Sequence, residues 1–234
     1  MARRNIRTTV VQSEDRSGGV RVLHLQDPEG WELPAFRPGA HIDLYLRKGL
    51  MRTYSLINAP HDADRYVIAI KREQAGRGGS RFVHEHLVEG AEVAISLPRG
   101  GIPLDNRPQV FIAGGIGVTP FLSAASHMLR MGRRDFVLHV LTRGASPLAA
   151  ELSRLGGEAQ VCIHDTSLAP RPDLAALIAD QDAGALLSFC GPEPMLQAFQ
   201  AATADRNPSE CHVERFVAPP PRVDPKARPY TLIL

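Results

Sequence analysis

The feature that most constrains this chain is Gly114-Gly115-Ile116-Gly117-Val118-Thr119-Pro120, set between the apolar run Val110-Phe111-Ile112-Ala113 and a segment, 121–131, with helical periodicity. A buried strand that turns through glycines onto a helix start brings backbone N–H groups and the positive end of a helix dipole to one point, a geometry suited to a phosphate. The heptapeptide departs from the dinucleotide fingerprint at Pro120, which stands where a third glycine would be. It departs from the ATP-type loop because no Lys-Ser or Lys-Thr follows. Proline suits a first helical turn, where its missing N–H has no partner anyway. An ordinary glycine-rich turn of an α/β domain would read the same way at this length.

Composition narrows the partners. At 234 residues the chain suits one large or two modest domains, and 44% hydrophobic residues supply a sizeable core. Its 27 basic and 25 acidic residues leave a net charge of +2, too balanced for a global field toward nucleic acid or a membrane surface, and aromatics are few. Phosphate recognition is therefore local. Cys162, Cys190 and Cys211 are odd in number, widely spaced and without a CxxC pair, which speaks against a disulfide framework and a zinc site. No apolar stretch follows Arg3 and Arg4, and no run approaches the ~18 apolar residues of a spanning helix. A soluble, cytoplasmic protein in a reducing compartment is expected, with no nucleic-acid or membrane partner, and as a monomer.

The pattern along the chain changes once. Segments 20–25, 41–46, 66–70 and 92–97 are short runs of β-formers punctuated by Ser17-Gly18-Gly19, Asp27-Pro28, Arg37-Pro38-Gly39 and Pro98-Arg99-Gly100-Gly101, as in a small barrel or sandwich. One helix interrupts them at 80–88, with Phe82, Val83, His86 and Leu87 in an inward stripe. From Pro108 strands at 110–113, 136–141, 159–163, 186–190 and 212–216 alternate with helices at 121–131, 147–155, 174–179 and 193–204, the signature of a parallel sheet covered by helices. The expected organisation is a β-domain over 1–104, an α/β domain over 105–217 and a proline-rich linker over 218–234.

Further groups carry chemistry. In Arg52-Thr53-Tyr54-Ser55-Leu56, strand alternation places Arg52 and Tyr54 on one face. A guanidinium grips phosphate bidentately, and a tyrosine offers a flat surface and a hydrogen bond to a ring ligand; the same pair also suits a solvated face. Gly76-Arg77-Gly78-Gly79-Ser80 joins N–H groups, a hydroxyl and cations at a helix start, either an anion site or a flexible loop capped by Ser80. Cys190-Gly191-Pro192-Glu193-Pro194-Met195 ends a strand where ligands of open α/β sheets bind, though a cysteine there also serves as a small buried hydrophobe. His212-Val213-Glu214-Arg215-Phe216 puts an acid and an aromatic on the last strand, as a solvated edge residue and a core phenylalanine would also be. His84 and His86 alternate on a predicted helix, which sends their rings apart, and no metal is expected there.

RTYSL, GRGGS, GGIGVTP, CGPEPM and HVERF, in this order and spacing, resemble the ferredoxin-reductase superfamily, specifically its phthalate dioxygenase reductase type of flavin reductase. The resemblance covers nearly the whole chain from Ile6 to Phe216. It implies an antiparallel flavin barrel followed by an α/β nicotinamide-nucleotide domain. Arg52, Thr53, Tyr54 and Ser55 would line the flavin and its phosphate, and Ile70, Arg72, Gly78, Gly79 and Ser80 would complete that site. Gly114, Gly115, Gly117, Val118 and Thr119, with Cys190, Gly191, Pro192 and Met195, would hold the nicotinamide nucleotide. Thr119, Cys190 and Glu214 would stand nearest the chemistry, and Phe216 would cover the isoalloxazine ring.

The resemblance further implies NAD(P)H-dependent oxidoreduction. FMN is preferred to FAD because GRGGS suits a terminal phosphate, and NADH is expected, with NADPH also open. Electrons would pass through an iron–sulfur domain or ferredoxin to an oxygenase or demethylase. Members usually carry a plant-type [2Fe–2S] domain with C-x4-C-x2-C spacing, which these three cysteines do not match, so that domain is expected to be absent. Arg143 stands where the fingerprint places an acid for the ribose hydroxyl, and could accept a 2′-phosphate. The competing reading is a flavin-binding regulatory or electron-transfer subunit without nicotinamide turnover.

Overall fold

The computed structural model describes residues 5–62, 64–157 and 160–216. The expected linker at 218–234 lies outside the described residues.

The first lobe is a six-stranded antiparallel sheet: β1 (Asn5–Arg16), β2 (Val20–Gln26), β3 (His41–Arg47), β4 (Leu50–Ser55), β5 (Tyr66–Lys71) and β6 (Glu92–Ser96), in the order β4-β3-β6-β1-β2-β5, with helix α1 (Gly79–His86) between β5 and β6. Its edges meet: Leu56 bridges Ile68, and the Ile57 N–H donates to the Val67 carbonyl at 2.8 Å, which closes the sheet into a barrel. Alternation decides what each strand faces. On β5, Tyr66, Ile68 and Ile70 fill the barrel interior with Leu23, Leu25, Ile42 and Leu44, while Val67 and Ala69 point to the second lobe.

β1 has no counterpart in the strands expected from sequence. Its apolar content is low, yet it pairs with both β2 and β6. Thr8 is fully buried because its hydroxyl donates to the Val93 carbonyl at 2.8 Å, which satisfies a polar group that the apolar interior would otherwise reject. Val83 of α1 and Leu87 just beyond its end turn inward as expected. His86 does not: it is exposed and meets the edge of the half-buried Phe82 at 4.3 Å between centroids.

The second lobe is a five-stranded parallel sheet of β7 (Gln109–Gly114), β8 (Phe136–Thr142), β9 (Val161–Asp165), β10 (Leu186–Cys190) and β11 (Cys211–Glu214), in the order β11-β10-β7-β8-β9. Helices α2 (Thr119–Arg130), α3 (Ala149–Ser153), α4 (Leu174–Ala179) and α5 (Glu193–Ala202) cover it. β9 begins two residues later than expected, and β11 ends at Glu214, so Phe216 lies beyond the sheet rather than in its core. The first strand of the lobe, β7, is central, and the chain winds to either side of it; ligands bind outside the carboxyl ends of the strands at such a switch point.

One apolar cluster joins the lobes. Val20 and Val22 of β2 and Val67 and Ala69 of β5 pack with Val118, Phe121 and Leu122 of the turn and helix after β7. The carboxyl edge of the parallel sheet is thereby held against the barrel wall.

Candidate functional site

β7 runs extended to Gly114 (φ −105°, ψ 108°), and Gly115 reverses the chain at φ +56° into a 3-10 turn over Gly115–Val118 that leads directly into α2. A left-handed φ is one that a side chain opposes and glycine does not. The first N–H groups of such a start have no partner within the helix, and nothing stands within 4 Å of where a Gly115 side chain would project. Gly117 is the opposite case. A Cβ there would lie 2.3 Å from the Cys190 carbonyl oxygen, and one on Gly114 would lie 2.5 Å from Pro192 Cδ and 2.9 Å from Met195 Sδ. The two glycine turns, more than seventy residues apart in sequence, therefore lie backbone against backbone.

Thr119 and Cys190 stand behind this wall rather than on it. Thr119 is 2% exposed and its hydroxyl donates to the Ile116 carbonyl at 3.1 Å. Cys190 is 1% exposed, and burial, reinforced by the Glu214 carboxylate, pushes its thiol well above the usual range. A neutral, enclosed thiol is no nucleophile. Both residues are placed to shape the turn.

On the barrel, Arg52 and Tyr54 share one face of β4, while Thr53 faces the other way and donates to Asp43 Oδ1 at 2.6 Å. Arg52 lies against the glycine loop before α1. It donates to the Arg77 carbonyl at 2.6 Å, and its side chain occupies the space that a Gly79 Cβ would need, 2.4 Å from Cγ. Gly78 caps α1 at φ +78°, and the Ser80 hydroxyl accepts from the Glu73 N–H at 3.0 Å. RTYS and GRGGS thus form one cationic cradle at a helix start. Burial pushes the Tyr54 phenol up to about 12, against the nearby Arg52, so it remains an O–H donor at neutral pH. Ser55, opposite His41 on β3, is half-buried at the end of the strand.

Between the lobes runs a cleft of about 900 Å³. The barrel lines it with Gly18, Val20, Lys71 and Glu73. The parallel sheet contributes the turn from Gly114 to Val118, Arg143 after β8, and Gly191, Pro192 and Met195 after β10, with Phe216 half-exposed at the rim. Lys71 and Glu73 had no place in the sequence expectation, which named Ile70 and Arg72 instead. The structure turns Ile70 into the barrel core at 1% exposure, and it sends Arg72 toward Glu85 at 3.4 Å. Strand parity is the reason: with Ile70 inward, Lys71 faces out. Arg171 and Arg215 also line the cleft; Arg171 carries no motif, and Arg215 stands within HVERF beside Glu214 without a role of its own there.

Glu214 sits at the end of β11 opposite Cys190, half-buried, and accepts from His212 Nε2 at 2.9 Å. A separate cavity of about 680 Å³, lined by Arg37, Arg99 and His212, opens on that side. Among the described residues no cluster of three or more metal-ligating side chains occurs, and no helix is long and apolar enough to cross a membrane.

No protein-family model matches the chain. Phenoxybenzoate dioxygenase subunit beta of Ectopseudomonas oleovorans is 39% identical over 203 residues, 85% of this chain and 63% of its own length. Phthalate dioxygenase reductase of Burkholderia cepacia is 35% identical over 219 residues, 91% of this chain and 68% of its own. A solved structure of phthalate dioxygenase reductase, described as modular and transferring electrons from pyridine nucleotides to [2Fe–2S], matches with a TM-score of 0.82 at 34% identity, over 90% of this chain and 68% of that one. The chain therefore spans just under two thirds of the first relative and just over two thirds of the second.

Proposed function

The chain belongs to the phthalate dioxygenase reductase type of oxygenase reductases, whose members bind flavin and NAD(P)H, and from that premise we propose that it is an NAD(P)H-dependent flavoprotein reductase. The observation that carries this reading is the two-lobed cleft: one wall ends in the Gly114–Val118 turn, and the other carries Lys71 and Glu73, the Glu73 N–H being held by Ser80 of the loop packed on Arg52.

The residues fit both groups. The Gly114, Gly115, Gly117 and Gly191 backbones, free of side chains, would take the nucleotide pyrophosphate at the start of α2. Arg52, with the N–H groups of Gly79 and Ser80, would take a terminal flavin phosphate, which favours FMN over FAD. Tyr54 would supply a ring face and a donor, and Phe216 a cover at the rim. When bound, the flavin accepts a hydride from the nicotinamide and returns electrons singly. The protein's own work is to hold the two rings in contact and to keep water out. Thr119 and Cys190 act as positioning residues, since each is buried behind the cleft wall. Glu214, with its oxygen held by His212, supplies an acid on the nicotinamide side.

The electrons would leave to an iron–sulfur domain or ferredoxin and from there to an oxygenase. We place the protein in the reducing cytoplasm, where a thiol such as Cys190 stays reduced. Purified chain supplied with FMN should reduce ferricyanide at the expense of a reduced nicotinamide nucleotide, and chromatography of the flavin released on denaturation should give FMN. Absence of turnover overturns the reductase reading, and FAD as the sole retained flavin overturns the FMN assignment.

A further inference from the structure

The first lobe closes on itself, whereas the parallel sheet ends, among the described residues, in two unpaired edge strands, β11 and β9. β11 is four residues long and carries the His212–Glu214 pair, with Arg215 next in the chain. Shortness and charge keep such an edge from pairing with another chain. β9 reads Val161-Cys162-Ile163-His164-Asp165, with no proline, lysine or arginine, and its one acid stands at the end. Ile163 is 52% exposed, and Leu168, just beyond the strand, is 85% exposed.

Register decides which backbone groups this edge offers. The Leu138 N–H donates to the Gln160 carbonyl at 2.7 Å, and the Thr166 N–H to the Thr142 carbonyl at 2.8 Å. Even-numbered residues of β9 therefore carry the ladder to β8, and Val161, Ile163 and Asp165 turn their N–H and C=O groups outward. Two of those groups are satisfied within the chain. The Val161 N–H donates to the Gly157 carbonyl at 3.0 Å, and the Asp165 carbonyl accepts from the Leu168 and Ala169 N–H groups at 3.1 Å each. The Val161 carbonyl, both groups of Ile163 and the Asp165 N–H have no hydrogen-bond partner among the described residues.

These remaining groups complement one another. If a second β9 runs antiparallel with Ile163 opposite Ile163, each Ile163 N–H meets the other Ile163 carbonyl. Each Asp165 N–H then meets the Val161 carbonyl of the other copy, and the two groups already satisfied fall opposite each other. A two-fold through Cys162 or His164 would make half as many bonds. Centred on Ile163, the pairing also sets Cys162 opposite His164 and Val161 opposite Asp165, so no like charges face each other.

We propose that β9 is a self-association edge, through which two copies of this chain pair about a two-fold at Ile163 and join their parallel sheets into one. The partner is a second copy because the open groups of this edge match those of the same edge reversed. This departs from the monomer expected from the sequence. A five-residue seam is small beside the roughly 1,200 Å² of a standard interface, so the dimer is a weak one that forms below about 1 mM. The two-fold closes the assembly at two copies.

Sedimentation velocity of the full chain, under reducing conditions, should show a monomer giving way to a dimer, and to nothing larger, between about 0.01 and 1 mM. Ile163→Lys removes the exposed isoleucine and sets two ammonium groups opposite each other, which should weaken the dimer at least about tenfold. Val11→Lys, at a 44% exposed position of the barrel, should leave it unchanged. Ile163→Cys tests the register with a side chain too small to harm the fold. Its two Cα atoms would lie about 5.5 Å apart, within reach of a disulfide, so diamide should link this variant into a covalent dimer much faster than the parent chain. A chain that stays monomeric up to about 1 mM, a dimer that Ile163→Lys does not weaken, or open-ended growth would each overturn the proposal. So would an Ile163→Cys variant that links no faster than the parent.

Discussion

Gly117 has no room for a side chain. The nearest atoms to an added Cβ are the Cys190 carbonyl oxygen at 2.3 Å and its carbon at 2.7 Å, and both belong to the backbone of β10, which cannot swing aside as a side chain would. Gly117→Ala should therefore cost about 1–3 kcal/mol, the usual range for overpacking a close-packed interior, and should also spoil nucleotide binding. Gly115→Ala meets no neighbour and carries only the strain of a left-handed residue, about 1 kcal/mol. Urea unfolding of the two variants checks the order, and equal losses would contradict it. At this scale the glycines and the strand-end cysteine were legible in sequence because short motifs fix spacing. Direction is not: the resemblance points to Ile70, whereas Lys71 faces the cleft, since the inward side of a strand depends on the layer built against it. Thr53 likewise turns from Arg52 and Tyr54 to bind Asp43.

Among the elements, the β8–β9 pair holds a device that no motif announced. His139 of β8 and His164 of β9 lie with Nδ1 and Nε2 3.1 Å apart, and their rings stack at 5.4 Å between centroids. His139 is 7% exposed and its Nε2 has no partner. Burial, then the neighbouring imidazole, lowers its pKa from 6.5 to about 4, and burial lowers that of His164. Between pH 6.5 and 4 the unfolded chain binds the proton that the folded chain refuses, so stability rises with pH across that window and is lost as pH falls through it. At about 1.36 kcal/mol per unit, His139 should account for about 2 kcal/mol of loss between pH 7.5 and 5. Urea midpoints at the two pH values should differ accordingly, and His139→Leu should remove most of the difference; an unchanged pH dependence in that variant would contradict the assignment. Most strands and helices were legible because runs of β-formers and helical periodicity survive without context. β1 was not, because its polar residues are made tolerable by partners such as Val93 that only the folded sheet supplies.

For the whole molecule, the change of pattern at Pro108 made two lobes readable in the sequence, but not the way they meet. Which faces of β2 and β5 turn to α2 follows from alternation only once the barrel is closed, and that contact sets Lys71 and Glu73 opposite Gly115 and Phe216 across one cleft. On the function proposed above, this cleft brings a flavin from one lobe and a nicotinamide from the other into direct contact. The most direct test is the visible absorption of the flavin-loaded chain during anaerobic titration with a reduced nicotinamide nucleotide, without any added acceptor. The flavin bands should bleach fully at about one equivalent, as expected for two-electron delivery within one protein. Bands that persist while the nucleotide is bound would contradict the claim, for they would show both sites present and the rings apart.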